Sequence, residues 1–245
     1  MSSTHSFATI ASIALAFTAN ACIAPPPQGK PGEANPQATE DSLKTCDANG
    51  LIDDAEDNNN QLATVGERGG YWYTFVDKAG STVTPTAGDQ GGTFTMQEGG
   101  ANGSRYAANV KGKIGTGETV YAAMAFNFVD PKGEYDASRY AGITFFAKHA
   151  QGSTAKLRVK VPDVQTDPAG KRCSECFNDF GFDLDLSPDW TRYVLPFSKM
   201  RQMEGWGAPR PSHIDPSQIY GVQFQVNQKG ADYDISVDDI AFVCR

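Results

Sequence analysis

Histidine is scarce in this chain, three residues in 245, and only His149 and His213 lie beyond the first few positions. Mechanisms that use imidazole as base, acid or metal ligand therefore have little to work with. No G-x-S-x-G, no H-E-x-x-H and no glycine loop fit to cradle phosphate occurs, and no cysteine has a plausible histidine partner. Positive charge is in deficit: 21 Lys and Arg stand against 29 Asp and Glu, a formal net charge of -8. That balance supplies no electrostatic footprint for nucleic acid or anionic lipid, so no nucleic-acid partner is expected. Long apolar runs are missing too. "FATIASIALAF", residues 7–17, has signal-peptide length and is too short to cross a bilayer as a helix. No segment repeats at a fixed period, and one short stretch, "SKMRQME", reads as helix.

The apolar run leads into "TANACIAPPP", which sets Cys22 behind small residues. This resembles the lipobox of bacterial lipoproteins, which implies acylation of Cys22 and a membrane anchor on an exported protein, in the outer membrane or at the cell surface. Ala19 stands where that motif usually has leucine, and ordinary secretion is the alternative. Residues 1–22 are thus expected to be a signal peptide. Residues 23–45, rich in Pro, Gly and small polar side chains, cannot bury a core and read as a disordered tether. The folded domain is expected to span 46–245. Setting Cys22 aside leaves four of five cysteines, an even number suited to disulfides in an oxidising compartment. Cys173 and Cys176 are expected to close a small loop and Cys46 and Cys244 to join the domain's ends. By loop-closure entropy the longer bridge contributes up to about 5 kcal/mol. Zinc is the competing reading of the C-x-x-C pair, but four ligands would be needed and the other candidates are scattered.

Within the domain the dominant period is two. "AKLRVKV" alternates Leu157, Val159 and Val161 with Lys156, Arg158 and Lys160; "GVQFQVNQ" alternates Val222, Phe224 and Val226 with Gln223, Gln225 and Asn227. Similar runs occur in "YAAMAFNFV", "AGITFFAKH", "FGFDLDL" and "TRYVLPF", separated by turn-forming segments such as "DPKGEYDAS" and "NQKGADY". An exported domain of this size built from regularly spaced alternating strands predicts an all-β fold, an antiparallel β-sandwich of the jelly-roll type.

The outward residues of such a sandwich carry its chemistry. Sugar rings present apolar C–H faces edged by hydroxyls, so holding them takes flat aromatic faces together with amide, carboxylate or guanidinium groups. "ERGGYWYTF" sets Tyr71, Trp72 and Tyr73 in a row, with Tyr71 and Tyr73 on one face at strand period and Trp72 on the other. Arg158 and Lys160, then Gln223, Gln225 and Asn227, form polar rows on the solvent faces of two strands, and "QMEGWG" presents Trp206 between glycines. The candidate carbohydrate-binding set is Tyr71, Tyr73, Arg158, Trp206, Gln223 and Gln225. Each alone also fits ordinary packing or a solvated sheet surface; only convergence on one face separates the two.

The succession "LIDDAED", "GGYWYTFVD", "YDASRYAGITFFAK", "LRVKVPDVQTDPAG", "DWTRYVLPFSKMRQMEGWG", "IDPSQIYGVQFQV" and "ISVDDIAFV" resembles the carbohydrate-binding modules of family 11 and their galactose-binding-like jelly-roll relatives. The resemblance runs over about residues 51 to 243. It implies a non-catalytic module that binds β-glucan chains in a groove on one sheet, and a structural calcium held where the first strand lies beside the last. Carried over, Glu56 and Asp238 are the implied calcium ligands, with Asp57 and Asp239 as neighbours. The adjacent acids in "DISVDDIAFVCR" are then expected to mark a bulge that turns a carboxylate toward the cation. The expected function is polysaccharide binding on an exported lipoprotein. The alternatives are a structural or adhesion protein of the envelope with a vestigial groove, and a glycan hydrolase that uses two carboxylates.

Overall fold

The computed structural model describes Cys46, residues 48–88 and residues 94–244. The expected signal peptide, Cys22 and the tether lie outside the described residues. The strands are β1 (Leu51–Asp53), β2 (Trp72–Val76), β3 (Gln97–Glu98), β4 (Tyr106–Lys113), β5 (Ala122–Asn127), β6 (Tyr140–His149), β7 (Lys156–Val161), β8 (Phe180–Asp185), β9 (Thr191–Pro196), β10 (Gly221–Val226) and β11 (Asp232–Cys244). They form two antiparallel sheets, one ordered β3-β4-β11-β6-β9 with β1 added to β11, the other β2-β5-β10-β7-β8. This is the jelly-roll β-sandwich that the alternating pattern predicts.

Period-two alternation decides which side chains meet between the sheets. In β10, Val222, Phe224 and Val226 are buried while Gln223 and Gln225 are only half-buried on the opposite face. Trp72 of β2 turns inward, stacks on Phe94 at 5.3 Å and meets Phe126 of β5 edge-on at 4.8 Å. Phe145 of β6 reaches Phe224 from the other sheet, edge-on at 5.2 Å. Truncating one such ring removes about 3–5 kcal/mol of packing.

The last strand breaks its own period, and the structure gives the reason. Tyr233, Ile235 and Val237 belong to the core, as do Ile240 and Phe242, so the inward set changes from odd to even numbers across Asp238 and Asp239. A bulge absorbs the extra residue: the register against β6 shifts between Asp238 and Ala241, and Asp239 adopts φ 49. Beside it β1 pairs with β11, Leu51 opposite Ala241 and Asp53 opposite Ile240. The same adjacency brings Cys46 and Cys244 to 5.1 Å between Cα atoms, and they are bridged; Cys173 and Cys176 form the second disulfide.

"SKMRQME" is not an α-helix. A single 3-10 turn at Phe197–Lys199 follows Pro196, after which Arg201 exchanges both backbone hydrogen bonds with Gly181. Pairing beside β8 draws this segment out of helical geometry. Among the described residues no helix is long and apolar enough to cross a membrane.

Candidate functional site

The outer face of the sheet β2-β5-β10-β7-β8 carries two rows of side chains set by strand register. One runs Tyr73, Ala125, Gln223, Lys160, Gly181, and the next Phe75, Ala123, Gln225, Arg158, Asp183. The small Ala123 and Ala125 lower the floor between the β2 aromatics and the β10 amides, and a cavity of about 780 Å³ opens above these rows.

Aromatic rings form the wall on the β2 side. Tyr73 and Phe75 lie 6.2 Å apart between ring centres, and Tyr121 continues the wall 5.9 Å from Phe75. Two loops, 173–178 and 200–207, form the wall on the β7–β8 side. They carry Phe177, Met203 and Trp206, exposed by 58%, 37% and 42%, the large apolar side chains left open among the described residues, and all three line this one groove. Trp206 sits between Gly205 and Gly207, at φ 87 and 90, a left-handed turn that side chains resist. A Cβ on Gly207 would also stand 2.8 Å from the Cβ of Asn178.

Asn178, buried at the root of the wall, ties the two loops together. Its Nδ2 donates to the carbonyls of Met203 at 2.9 Å and Trp206 at 2.6 Å, and its Oδ1 accepts from the Met203 N–H at 2.9 Å. Glu175 exchanges backbone hydrogen bonds with Ala208, and its carboxylate accepts from the Gly207 N–H.

Arg158 and Lys160 face outward as expected but are not solvated. They are 5% and 7% exposed, and a buried cation needs partners. Arg158 donates to Asp183 Oδ2 at 2.9 Å and to the carbonyls of Arg201 at 2.8 Å and Asp179 at 3.4 Å. Lys160 lies 3.0 Å from Asp179 and 3.4 Å from Gln225 Oε1. Lys132, at the groove's margin, pairs with Asp167 at 2.6 Å. These three cations are thus neutralised by carboxylates, while Gln223 and Gln225 supply uncharged hydrogen-bonding groups. Burial, with Asp167 and Asp179 nearby, pushes the Tyr73 hydroxyl up, so it remains a hydrogen-bond donor at neutral pH.

Five of the six candidate residues, Tyr73, Arg158, Trp206, Gln223 and Gln225, line this single groove. Tyr71 is not among its lining residues: it precedes β2 and bridges to Gln61. Phe75, Tyr121, Phe177 and Met203 line it without having been singled out. Phe75 had a signal, since it repeats the Tyr73 position two residues on; Phe177 had only its place after the C-x-x-C.

Glu56 and Asp238, the implied calcium ligands, meet at one loop. Glu56 Oε1 accepts from Ser104 Oγ at 2.7 Å and from the N–H groups of Arg105 at 2.8 Å and Tyr106 at 2.9 Å, which hold its carboxyl below the usual range. Asp238 Oδ2 accepts from the Ala101 N–H at 2.7 Å, and burial raises its carboxyl to about 6. A Cβ on Gly100 would lie 2.6 Å from Asp238 Oδ2 and closer still to the Tyr106 carbonyl. The oxygens gathered here are two carboxylates, the Ser104 hydroxyl and the Tyr106 carbonyl, a donor set of the kind that suits a hard cation. No group of three or more His, Cys, Asp or Glu able to hold a metal converges among the described residues.

This sandwich, with a groove on the outer face of one sheet, has the fold of carbohydrate-binding modules. The chain is similar to a family 11 carbohydrate-binding module from Clostridium thermocellum in complex with a β-1,3-1,4-mixed-linked tetrasaccharide, with TM-score 0.54 and 18% identity over 79% of this chain and 94% of that one. The family 11 module of a cellulosomal cellulase from the same organism gives TM-score 0.55 and 16% identity, over 83% and 95%. A family 30 carbohydrate-binding module gives 0.52 and 9%, over 77% and 96%. At these identities the likeness is one of fold. No protein-family model and no curated protein matches the sequence.

Proposed function

We propose that the protein is a non-catalytic carbohydrate-binding module that holds a β-glucan-type polysaccharide in this groove. The carrying observation is the groove's composition: aromatic walls on both sides of a floor with Gln223 and Gln225, its inner cations already paired. Such a surface offers flat apolar faces to pyranose rings and neutral donors and acceptors to their hydroxyls, with no unpaired inner charge that calls for an anionic ligand. The mixed-linked tetrasaccharide named for the similar family 11 module supports the choice of β-glucan. Tyr73 and Trp206 stack on sugar faces, and Gln223 and Gln225 bond hydroxyls. Arg158 acts mainly by fixing the floor, its donors being engaged by Asp183 and two carbonyls.

The hydrolase alternative is less well supplied. Of the carboxylates that line the cavity, Asp167 is engaged by Lys132 and by the Ala169 N–H, and Glu118 stands on an exposed loop. Hydrolysis by the two-carboxylate route needs one acid and one base set across the scissile bond.

Calcium is proposed as a structural cation bound by Glu56 and Asp238 together with Ser104 and the Tyr106 carbonyl, where it would clamp the 101–106 loop to β11. A chelator is then expected to lower the melting temperature, and calcium to restore it. Export and acylation at Cys22 are proposed from the sequence motif, and Cys22→Ser is expected to move the protein from the detergent to the aqueous phase on partition.

Affinity electrophoresis of the full chain through gels that contain mixed-linkage β-1,3-1,4-glucan, hydroxyethyl cellulose or no polysaccharide tests the main reading. Retardation by a glucan, lost in Tyr73→Ala with Trp206→Ala, is expected. A folded wild-type protein that migrates equally in every gel would refute it and move the reading to the adhesion alternative.

A further inference from the structure

Phe177 is the residue that the fold itself does not explain. It is bulky, 58% exposed and held at φ 75, in the left-handed region that disfavours side chains. Its ring contributes little to the core, and glycine would adopt this backbone without strain. The backbone around it is nevertheless fixed on both sides. The Cys173–Cys176 disulfide closes immediately before it, its N–H donates to the Thr166 carbonyl at 2.9 Å, and the buried Asn178 follows with its bonds to the 200–207 loop. Cys173 Sγ lies 3.4 Å from the same Thr166 carbonyl. A strained conformation maintained by surrounding constraints, and exposing an apolar ring on the rim of a groove, indicates a binding role.

We infer that Phe177 is a ligand-stacking residue of the groove, forming one apolar lip with Met203 and Trp206, and that the Cys173–Cys176 disulfide is the positioning group that holds it there. This rests on the carbohydrate-binding reading above. Phenylalanine has no polar atom, so its contribution is the flat face alone, set against the C–H face of a β-linked pyranose. The disulfide acts before the ligand arrives: it removes conformations of residues 173–178 that would otherwise be lost on binding.

The test uses the full-length protein, with affinities for mixed-linkage β-1,3-1,4-glucan measured by calorimetry beside melting temperatures. Phe177→Gly relieves the backbone and removes the ring. It is expected to melt at or above wild type and to bind about tenfold more weakly, the loss typical of removing a contact aromatic. Phe177→Leu, which keeps bulk without a flat face, is expected to weaken binding as well, while Phe177→Tyr binds like wild type. Cys173→Ser with Cys176→Ser is expected to weaken the wild-type protein severalfold and to leave Phe177→Gly unchanged, since the ring it positions is already gone. Wild-type affinity in Phe177→Gly or Phe177→Leu overturns the stacking role. Equal losses on removing the disulfide from both backgrounds overturn the positioning role. A wild-type protein that binds no glucan overturns the carbohydrate reading and this inference together, whereas binding that is indifferent to Phe177 overturns this one alone.

Discussion

Asp53 gives the sharpest quantitative expectation. It closes β1 at 3% exposure, with Oδ2 accepting from Trp72 Nε1 and Oδ1 from the Ala55 N–H at 3.0 Å. Burial raises its carboxyl from 3.8 to about 7 against these two hydrogen bonds, with Asp57 and Asp54 adding to the rise. Below pH 4 both folded and unfolded chains hold the proton and Asp53 contributes nothing to the pH dependence. Between pH 4 and 7 the unfolded chain releases its proton while the folded chain keeps it, so stability falls as pH rises; above pH 7 the loss is complete. Three pH units at about 1.4 kcal/mol each give a loss of about 4 kcal/mol. Asp53→Asn does not titrate, and its amide oxygen can still accept from Trp72. The assay is guanidinium unfolding of wild type and Asp53→Asn at pH 4, 6 and 8, followed by tryptophan fluorescence. The difference between the two proteins is expected to move by about 4 kcal/mol in favour of the asparagine variant from pH 4 to pH 8, and any constant penalty at the Ala55 N–H cancels. A difference that stays level within about 1 kcal/mol would show that the buried carboxyl titrates normally and that the reasoning is wrong.

Further expectations concern the two disulfide-linked regions and the groove floor. Cys46→Ser with Cys244→Ser opens a bridge of sequence separation 198 and should lower unfolding free energy by about 5 kcal/mol in denaturant titrations. Lys160→Met leaves Asp179, 1% exposed and with no hydrogen-bond donor aimed at it among the described residues, without its cation. A loss of about 3–5 kcal/mol is expected, largely recovered when Asp179→Asn is added, and a double-mutant cycle measures the coupling. Asn178→Ala removes three hydrogen bonds at the root of the groove wall and should cost about 3 kcal/mol. Acrylamide should then quench Trp206 fluorescence more readily, since the loop that carries it loses its tie.

The strands were legible because a sheet imposes a period of two on which face each side chain takes: β7 and β10 fall within "AKLRVKV" and "GVQFQVNQ", and in β10 burial follows the alternation. The disulfide pairs were legible from their number and spacing. The site was legible in part. Alternation says which face a side chain takes, so Gln223, Gln225 and Tyr73 could be placed, but it says nothing about what later folds over that face. Arg158 and Lys160 were therefore read as solvated, although Asp183, the Arg201 carbonyl and Asp179 close around them and bury them. Tyr71 shares the strand period of Tyr73, but it stands before β2 and beside Gln61, apart from the residues that line the groove. Phe177 was invisible because its significance lies in a dihedral angle and an exposure, neither of which a residue type encodes. The helix read in "SKMRQME" gave way to the backbone pairing of Arg201 with Gly181.

The Cys46–Cys244 bridge has a mechanical consequence. β11 pairs with β6 over Ile235–Cys244 and, on its other side, with β4 over Asp232–Val237 and with β1 at Ile240 and Ala241. A pull applied to the chain at Cys46 is transmitted through sulfur directly into the most heavily bonded strand of the sheet that does not carry the groove. Peeling β1 away therefore cannot begin the failure of the domain. Force enters β11 at the Cys244 end, where the long β6 ladder and the β1 pair hold it, while the groove's own strands lie in the other sheet, outside the direct path of the load.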